Sequence, residues 1–299
     1  MICVVSHDAG GAEVLASYVA QQGLACFFVL AGPAVAVFER RLGHLPLSSL
    51  EEAVNNCDWI LCGTSWQSDL EWVAIGMGRQ KAKRTVAFLD HWAHYRERFI
   101  RRGIEQFPDE IWVGDFLAET IALKCLPGLS VRLVQNPYFE DLKKDIVSLG
   151  ISAGVASADN GLRVLFVCEP LSEHGLREFG DELYWGYTEY DALRYFLRNL
   201  HVLGKPVDQV IVRPHPSEPV GKYDWVSGEF GNHVVVGGGR PLLEEIVESD
   251  VVAGCESMAM VAGLIVGRRV VSCVPPGGNA CALPQPEIES LQLLLASAR

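Results

Sequence analysis

Val210-Ile211-Val212-Arg213-Pro214-His215-Pro216-Ser217-Glu218 joins a β-branched run to a loop that contains two prolines. The β-branched run predicts a short buried strand. Each proline lacks an N–H and biases the residue before it away from helix, so the ladder stops and the backbone stays extended. Arg213, His215 and Ser217 are left at the carboxyl end of the strand, where ligands bind in an open α/β sheet. Arginine is a planar fork for phosphate, and histidine adds a donor whose pKa an anion raises. The loop is therefore a candidate phosphate site for a nucleotide or sugar nucleotide. The competing reading is a proline-rich turn whose histidine caps local backbone.

Working back from this loop, the chain alternates short apolar strands with helices. Strands are predicted at Ile2–Ser6, Leu24–Leu30, Asp58–Cys62, Thr85–Leu89, Glu110–Val113 and Ser130–Val134, with a weaker strand–helix unit running to Asn56. Helices are predicted at Glu13–Gln22, through Arg40, from about Asp69 to Arg79, and at Phe116–Leu126. The glycine turn His7-Asp8-Ala9-Gly10-Gly11-Ala12 opens the first of them. Residues 146–160, rich in Ser, Ala and Gly, read as a linker. Beyond it come strands at Arg163–Cys168, Gln209–Val212, His233–Val236, Val251–Ala253 and Arg269–Cys273. Helices are expected near Tyr190–Leu200 and at Pro241–Glu248, Ser257–Val266 and Glu287–Ala296. This alternation predicts an α/β protein of two Rossmann-like domains facing a central cleft, residues 1–145 and 161–299, with the ligand in the cleft.

Composition sets the class. The chain has 299 residues, 49% of them hydrophobic, enough for two well-covered cores. Its longest apolar stretch, Met258–Val266, is about half a membrane span. Residues Met1–Ser6 read as a strand and not as a secretory leader. Nine cysteines without a Cys-x-x-Cys pair, several in apolar runs, point to buried thiols in a reducing, cytoplasmic compartment. A formal net charge of −12 excludes general nucleic-acid binding. One basic segment breaks this balance: Arg79, Lys81, Lys83, Arg84, Arg96, Arg98, Arg101 and Arg102 face only Asp90 and Glu97. It reads either as a solvated face or as an attraction for an anionic substrate, acceptor or lipid headgroup, with peripheral association at the inner membrane face.

The two halves, the glycine turn and the phosphate loop together resemble the GT-B fold of glycosyltransferases and hydrolysing sugar-nucleotide epimerases. His7-Asp8-Ala9-Gly10-Gly11 is similar to that superfamily's glycine loop, and Leu133-Val134-Gln135-Asn136-Pro137 to the segment where the chain leaves the first domain. Asp250-Val251-Val252-Ala253-Gly254-Cys255-Glu256-Ser257, running on to Gly267-Arg268-Arg269-Val270, is similar to the unit that cups the nucleotide. Arg213-Pro214-His215-Pro216 resembles the His-Pro motif of bacterial sialyltransferases and of capsule and teichoic-acid transferases, where the histidine contacts the donor phosphate. The resemblance implies transfer of a sugar from a sugar-nucleotide donor to a glycan or lipid-linked acceptor in surface-polysaccharide assembly, inverting and metal-independent, with no cofactor. Many UDP-sugar enzymes of this fold carry a ribose-binding glutamate where Val261-Ala262-Gly263 stands here, which points towards a CMP-linked donor. The alternatives are a hydrolysing epimerase, active without an acceptor, and a non-catalytic sugar-nucleotide-binding protein.

Glycosyl transfer needs a base for the acceptor hydroxyl and positive charge for the departing phosphate. Asp8, where the first strand meets the glycine turn, is the first candidate for the base and His7 the second, with Gly10 and Gly11 allowing close approach of substrate. An Asp bonded to its own turn is the plainer alternative. Asp90-His91-Trp92-Ala93-His94 is a dense polar and aromatic strand end, read as acceptor binding or catalysis through Asp90 and His91. A metal held by Asp90, His91 and His94 lacks a fourth ligand. On the donor side, Arg213, His215 and the helix start at Ser257 supply positive charge. Ser257 also suits a helix cap, Glu256 a sugar hydroxyl, and Glu169 either the nucleotide or a simple turn. No P-loop and no spaced Gly-x-Gly-x-x-Gly opens a helix, so ATPase and dehydrogenase readings lose their usual fingerprints.

Overall fold

The computed structural model describes residues 1–65, 68–148 and 161–298. They fall into two compact units, Met1–Asp141 and Leu142–Arg299. The first contains strands β1 (Ile2–Ser6), β2 (Cys26–Leu30), β3 (Trp59–Cys62), β4 (Arg84–Leu89), β5 (Ile100–Arg101), β6 (Ile104–Glu105), β7 (Glu110–Val113) and β8 (Ser130–Leu133). Its helices are α1 (Ala9–Gln22), α2 (Pro33–Leu42), α3 (Leu50–Asn56), α4 (Leu70–Gln80), α5 (Phe116–Cys125) and the start of α6 (Pro137–Ser148). The six main strands form one parallel sheet in the order β2-β1-β3-β4-β7-β8, and β5 and β6 form a separate antiparallel hairpin.

The second unit holds β9 (Leu162–Val167), β10 (Val207–Arg213), β11 (Val234–Val236), β12 (Val251–Gly254), β13 (Arg269–Ser272) and β14 (Ile288–Ser290). Its helices are α7 (Leu171–Phe179), α8 (Glu189–Leu197), α9 (Trp225–Phe230), α10 (Leu242–Val247), α11 (Met258–Ile265) and α12 (Leu291–Ser297). The sheet is again parallel, in the order β11-β10-β9-β12-β13-β14.

Helices cover both faces of each sheet, so strand residues of either parity are buried; Cys3, Val4 and Val5 of β1 have no exposed surface. In the first core, Val4 and Phe28 pack under Ala12, Leu15 and Phe38, with Phe28 and Phe38 edge to face at 5.8 Å. In the second, Phe166 and Val212 pack against Leu193 and Phe196. Burying one such side chain contributes about 1.5–3 kcal/mol, so a polar residue in β1 or β9 undoes much of a unit's margin.

Strand order places the sites. In the first sheet the chain steps from β1 to β2 on one side and then to β3 on the other; in the second it leaves β9 for β10 and later crosses to β12. The gaps between β1 and β3 and between β9 and β12 are topological switch points, where loops at the carboxyl ends part and leave a crevice.

The structure adds α7, α9 and the β5–β6 hairpin to the expected elements, and revises four of those that were expected. Gly10 and Gly11 lie inside the first turn of α1 and not in a loop before it. No strand precedes α3; Leu47 makes only an isolated bridge to Phe28. Residues 146–148 of the expected linker continue α6, and residues 149–160 lie outside the described residues. Finally, Glu287–Ala296 is not one helix, because Ile288–Ser290 pairs with Val270–Ser272 before α12 begins.

Candidate functional site

At the β1/β3 switch point only His7 and Asp8 separate β1 from α1. Asp8 occupies the N-cap position, yet its side chain does not cap the helix. Its Oδ1 instead meets His7 Nδ1 at 2.7 Å and accepts the Ser65 hydroxyl, from the end of β3, at 2.7 Å. An ionised carboxylate only accepts, so His7 Nδ1 carries the proton and Nε2 is left as the basic nitrogen of the neutral ring. Nε2 lies over Gly32, whose φ is +53°; a Cβ there would stand 2.6 Å from it. The two residues expected as alternative bases thus form one His–Asp pair.

Asp90 comes to the same end of the sheet. It pairs with the buried Arg98 at 3.2 Å, and Arg98 also donates to Thr64 O and Oγ1 at 3.0 and 2.9 Å. A Cβ on Gly10 would collide with Asp90 Oδ2, and one on Gly11 would lie 3.5 Å from Gly63 Cα. Gly10 therefore makes room for Asp90, where the sequence suggested room for substrate, while a Cβ on Gly11 would sit in ordinary contact. His91, Trp92, Asp115 and Asn136 line a small recess beside Asp90, with Trp92 Nε1 bonded to Asp115 at 3.0 Å. Asp90, His91 and His94 do not converge on one point; among the described residues no three His, Cys, Asp or Glu form a metal-ligating group.

Two residues that the sequence reading passed over complete this site. Ser65 orients Asp8, and Glu71 accepts the His7 backbone N–H at 2.7 Å. Glu71 is buried, and burial with the nearby Asp8 charge pushes its carboxyl up to about 7, against the pull of Arg101. The signal was there: Glu71, Ala74, Ile75 and Gly78 form the buried stripe of α4, so an acid occupies an apolar position.

In the second unit the Arg213–Ser217 loop divides in two. Arg213 turns away from solvent: its Nη1 pairs with buried Glu245 and donates to Arg240 O at 2.8 Å. His215 and Ser217 are exposed. His215 Nδ1 accepts the Ser217 backbone N–H at 3.2 Å and lies 2.7 Å from its hydroxyl, so the neutral ring carries its proton on the outward Nε2. Partial enclosure lowers the His215 pKa, with Glu218 and Glu173 opposing. The loop is held from below: Glu218 accepts the His215 N–H at 2.7 Å and the Tyr223 hydroxyl at 2.7 Å. Buried Lys222 bridges Glu218, at 2.9 Å, to Glu189.

At the β9/β12 switch point, Glu169 Oε1 accepts the backbone N–H groups of Cys255 and Glu256 at 3.0 and 2.8 Å. The protein's own carboxylate thus holds amides of the β12–α11 turn, just ahead of the helix start that the sequence reading offered to phosphate. Ser257 caps that helix through Ala259 N at 3.2 Å. Burial raises Glu169 to about 6, and burial together with the Glu169 charge raises Glu256 to about 7. Val261, Ala262 and Gly263 are buried, Gly263 against Val252 and Val270, so the lack of an acid there reflects core packing and says nothing of the nucleotide.

The basic segment is largely neutralised within the protein. Arg84 pairs with Glu110, Arg96 with Glu105 at 2.7 Å, and Arg101 and Arg102 with Asp69 at 2.9 and 3.1 Å. These acids lie outside residues 79–102, which is why a local count made the segment look unopposed. No helix among the described residues is long and apolar enough to cross a membrane.

No family model matches the chain, and no curated protein matches it in sequence. Solved structures do match in fold. UDP-GlcNAc 2-epimerase from Neisseria meningitidis, bound to UDP-GlcNAc, is similar with a TM-score of 0.61 at 12% identity, covering 99% of this chain and 90% of that one. UDP-GlcNAc 2-epimerase from Methanocaldococcus jannaschii gives 0.59 at 8% identity, covering 99% and 91%. The glycotransferase of kitacinnamycin gives 0.53 at 12%, covering 99% and 83%. The fold is GT-B-like, with two Rossmann-like domains.

Proposed function

We propose that this chain is a glycosyltransferase that moves a sugar from a sugar-nucleotide donor to a glycan or lipid-linked acceptor. The observation that carries the reading is the His7–Asp8–Ser65 arrangement at the β1/β3 switch point. Such a pair suits a base that must accept a hydroxyl proton and then stabilise the imidazolium it becomes. Neighbours of this fold that act on or bind UDP-GlcNAc support a sugar nucleotide as the ligand.

His7 Nε2 takes the proton of the acceptor hydroxyl as its oxygen attacks the anomeric carbon. The bond from that carbon to the donor phosphate breaks, and its electron pair leaves on the phosphate oxygen. That charge needs a hydrogen-bond donor, and the exposed loop of the second unit carries two, His215 Nε2–H and the Ser217 hydroxyl. Arg213, paired with Glu245 through Nη1, holds the base of the loop. A single displacement of this kind inverts the anomeric centre.

One observation favours a second reading, acceptor-independent epimerisation: Glu169 and Glu256 both titrate near neutrality, as an acid–base pair around a sugar would. Thermal shifts with CMP-, CDP-, UDP- and GDP-linked sugars, followed by turnover with and without acceptor, separate the two. Transfer predicts stabilisation by one nucleotide class, lost in His215→Ala, and turnover only with acceptor. Turnover without acceptor selects the epimerase. No stabilisation of folded protein by any donor overturns both.

A further inference from the structure

The reading of His7 as the base leaves open what keeps its ring in place, and the answer lies on α4. The β1–β3 ladder ends at the Val5–Cys62 pair, so the next inward N–H of β1, that of His7, has no strand carbonyl to meet. Glu71 Oε1 supplies the acceptor at 2.7 Å. The same carboxylate is 3% exposed, and its Oε2 is buried with no hydrogen-bond partner among the described residues. It lines a recess with Thr64, Ser65, Trp72, Arg98 and Arg101. Arg101 is committed to Asp69 at 2.9 Å and to the carbonyl of Ile100 at 2.9 Å, and Arg98 to Thr64 and Asp90.

A buried carboxyl oxygen left unsatisfied is costly, and helix α4 would pack as well with an apolar residue on its stripe. The cost is retained at the one place where a side chain fixes the backbone of the candidate base. We infer that Glu71 is a positioning residue: by holding the His7 N–H it sets the direction from which the ring projects, and so keeps Nδ1 on Asp8 and Nε2 as the basic nitrogen. This rests on the reading of His7 as the base.

Glu71 also couples the site to pH. The groups facing it are Asp8 from the β1–α1 junction, the Cys62 thiol at the end of β3, and Arg101 and Arg98 across the recess. Burial and Asp8 favour the neutral acid, the backbone N–H groups of Glu71 and His7 together with Arg101 favour the anion, and the balance places the change near pH 7. Either form accepts the His7 N–H through Oε1. The anion adds negative charge beside the ring.

The test uses the full chain with nitrogen-15-labelled histidine, His7 being assigned with His7→Gln, in Glu71→Leu and Glu71→Gln variants. Glu71→Leu removes the acceptor, and its His7 ring nitrogens are expected to shift from the Nδ1–H pattern towards a mixed one. Its kcat is expected to fall on the order of 10²-fold, the cost of a small misplacement, with little change in KM. Glu71→Gln keeps the acceptor and the tautomer but loses one inflection near pH 7 from the ring titration and from the pH–rate profile. An unchanged tautomer in folded Glu71→Leu overturns the proposal. If that variant does not fold, an unaltered His7 titration in Glu71→Gln overturns it instead. Failure of the wild type to turn over any sugar nucleotide defeats the glycosyltransferase reading and leaves the nitrogen shifts to decide Glu71.

Discussion

Arg213 and Glu245 form a partly buried ion pair, their side chains 17% and 4% exposed, at the point where β10 enters the His-Pro loop. Glu245 Oε1 also accepts the Gly238 N–H at 3.0 Å, so one carboxylate ties the ends of β10 and β11 together. His215, two residues on, is exposed. Two residues of one short motif therefore do different work, and mutation separates them. Arg213→Met leaves Glu245 buried without its partner and is expected to cost about 3–5 kcal/mol in urea denaturation. His215→Ala is expected to lie within about 0.5 kcal/mol of wild type while losing donor-induced stabilisation. Equal stability of both variants would show that the pair does not hold the loop.

Glu169 fills the turn just ahead of α11 from within. Charge-assisted bonds to two backbone N–H groups contribute about 1.5–3 kcal/mol each at most, and the helix dipole adds to them. Glu169→Ala strips that anion and leaves the Cys255 and Glu256 amides unmet. The variant is expected to lose about 2 kcal/mol and to regain part of it when inorganic sulfate is added, since the opened helix start then binds an external anion. Wild type should show no such gain at this site. Denaturation curves with and without sulfate check this, and an equal response in both proteins refutes it.

The strands were legible because parallel strands covered on both faces leave apolar runs with sharp ends, as in Ile2–Ser6 and Glu110–Val113. Helix α7 was not, because Gly175 interrupts its pattern; the glycine is there for packing, since a Cβ would stand 2.6 Å from Asp181 O. Strand β14 was hidden inside a leucine-rich stretch whose first residues join the sheet edge. For the candidate site, adjacency along the chain pointed to His7, Asp8 and Asp90, which the fold brings to one end of the first sheet. It did not show that Asp8 serves His7, because Ser65 and Glu71 arrive from 57 and 64 residues away. Nor did it show that Arg213 is internal, because its partner Glu245 lies 32 residues on. Spacing identifies chemistry that the chain places side by side, whereas partners brought by the sheet need the fold.

Stability should fall as pH rises through neutrality. Glu71 has its folded pKa raised from an ordinary 4.5 to about 7, so the folded state binds more protons than the unfolded one between those values. Below pH 4.5 the group is neutral in both states and costs nothing; above pH 7 the fold carries a buried anion. The interval corresponds to about 3 kcal/mol lost on passing from acid to alkaline conditions. Glu71→Gln cannot ionise, so its melting temperature should be flatter across the same range, whatever constant offset its buried amide brings. Parallel pH profiles for wild type and Glu71→Gln would show that Glu71 does not titrate there.

The division of labour between His7 and Asp8 makes the last prediction. Asp8 Oδ1 is engaged by His7 Nδ1 and Ser65 Oγ, so in the proposed mechanism the aspartate acts through the ring and Nε2 is the nitrogen that meets substrate. Asp8→Asn keeps the size of the side chain but no longer provides an anion for the imidazolium, and its amide can turn its N–H₂ towards Nδ1. The ring then favours the Nε2–H tautomer, in which the nitrogen facing the acceptor is already protonated. Loss of a positioned base costs on the order of 10²–10⁴-fold in rate, so Asp8→Asn and His7→Gln should both fall in that range. Because the two act as one unit, the double variant should be little worse than His7→Gln alone. Donor binding, measured by thermal shift, should survive in all three. A double variant whose loss is the product of the single losses would mean that Asp8 acts independently, and would restore it as a base in its own right.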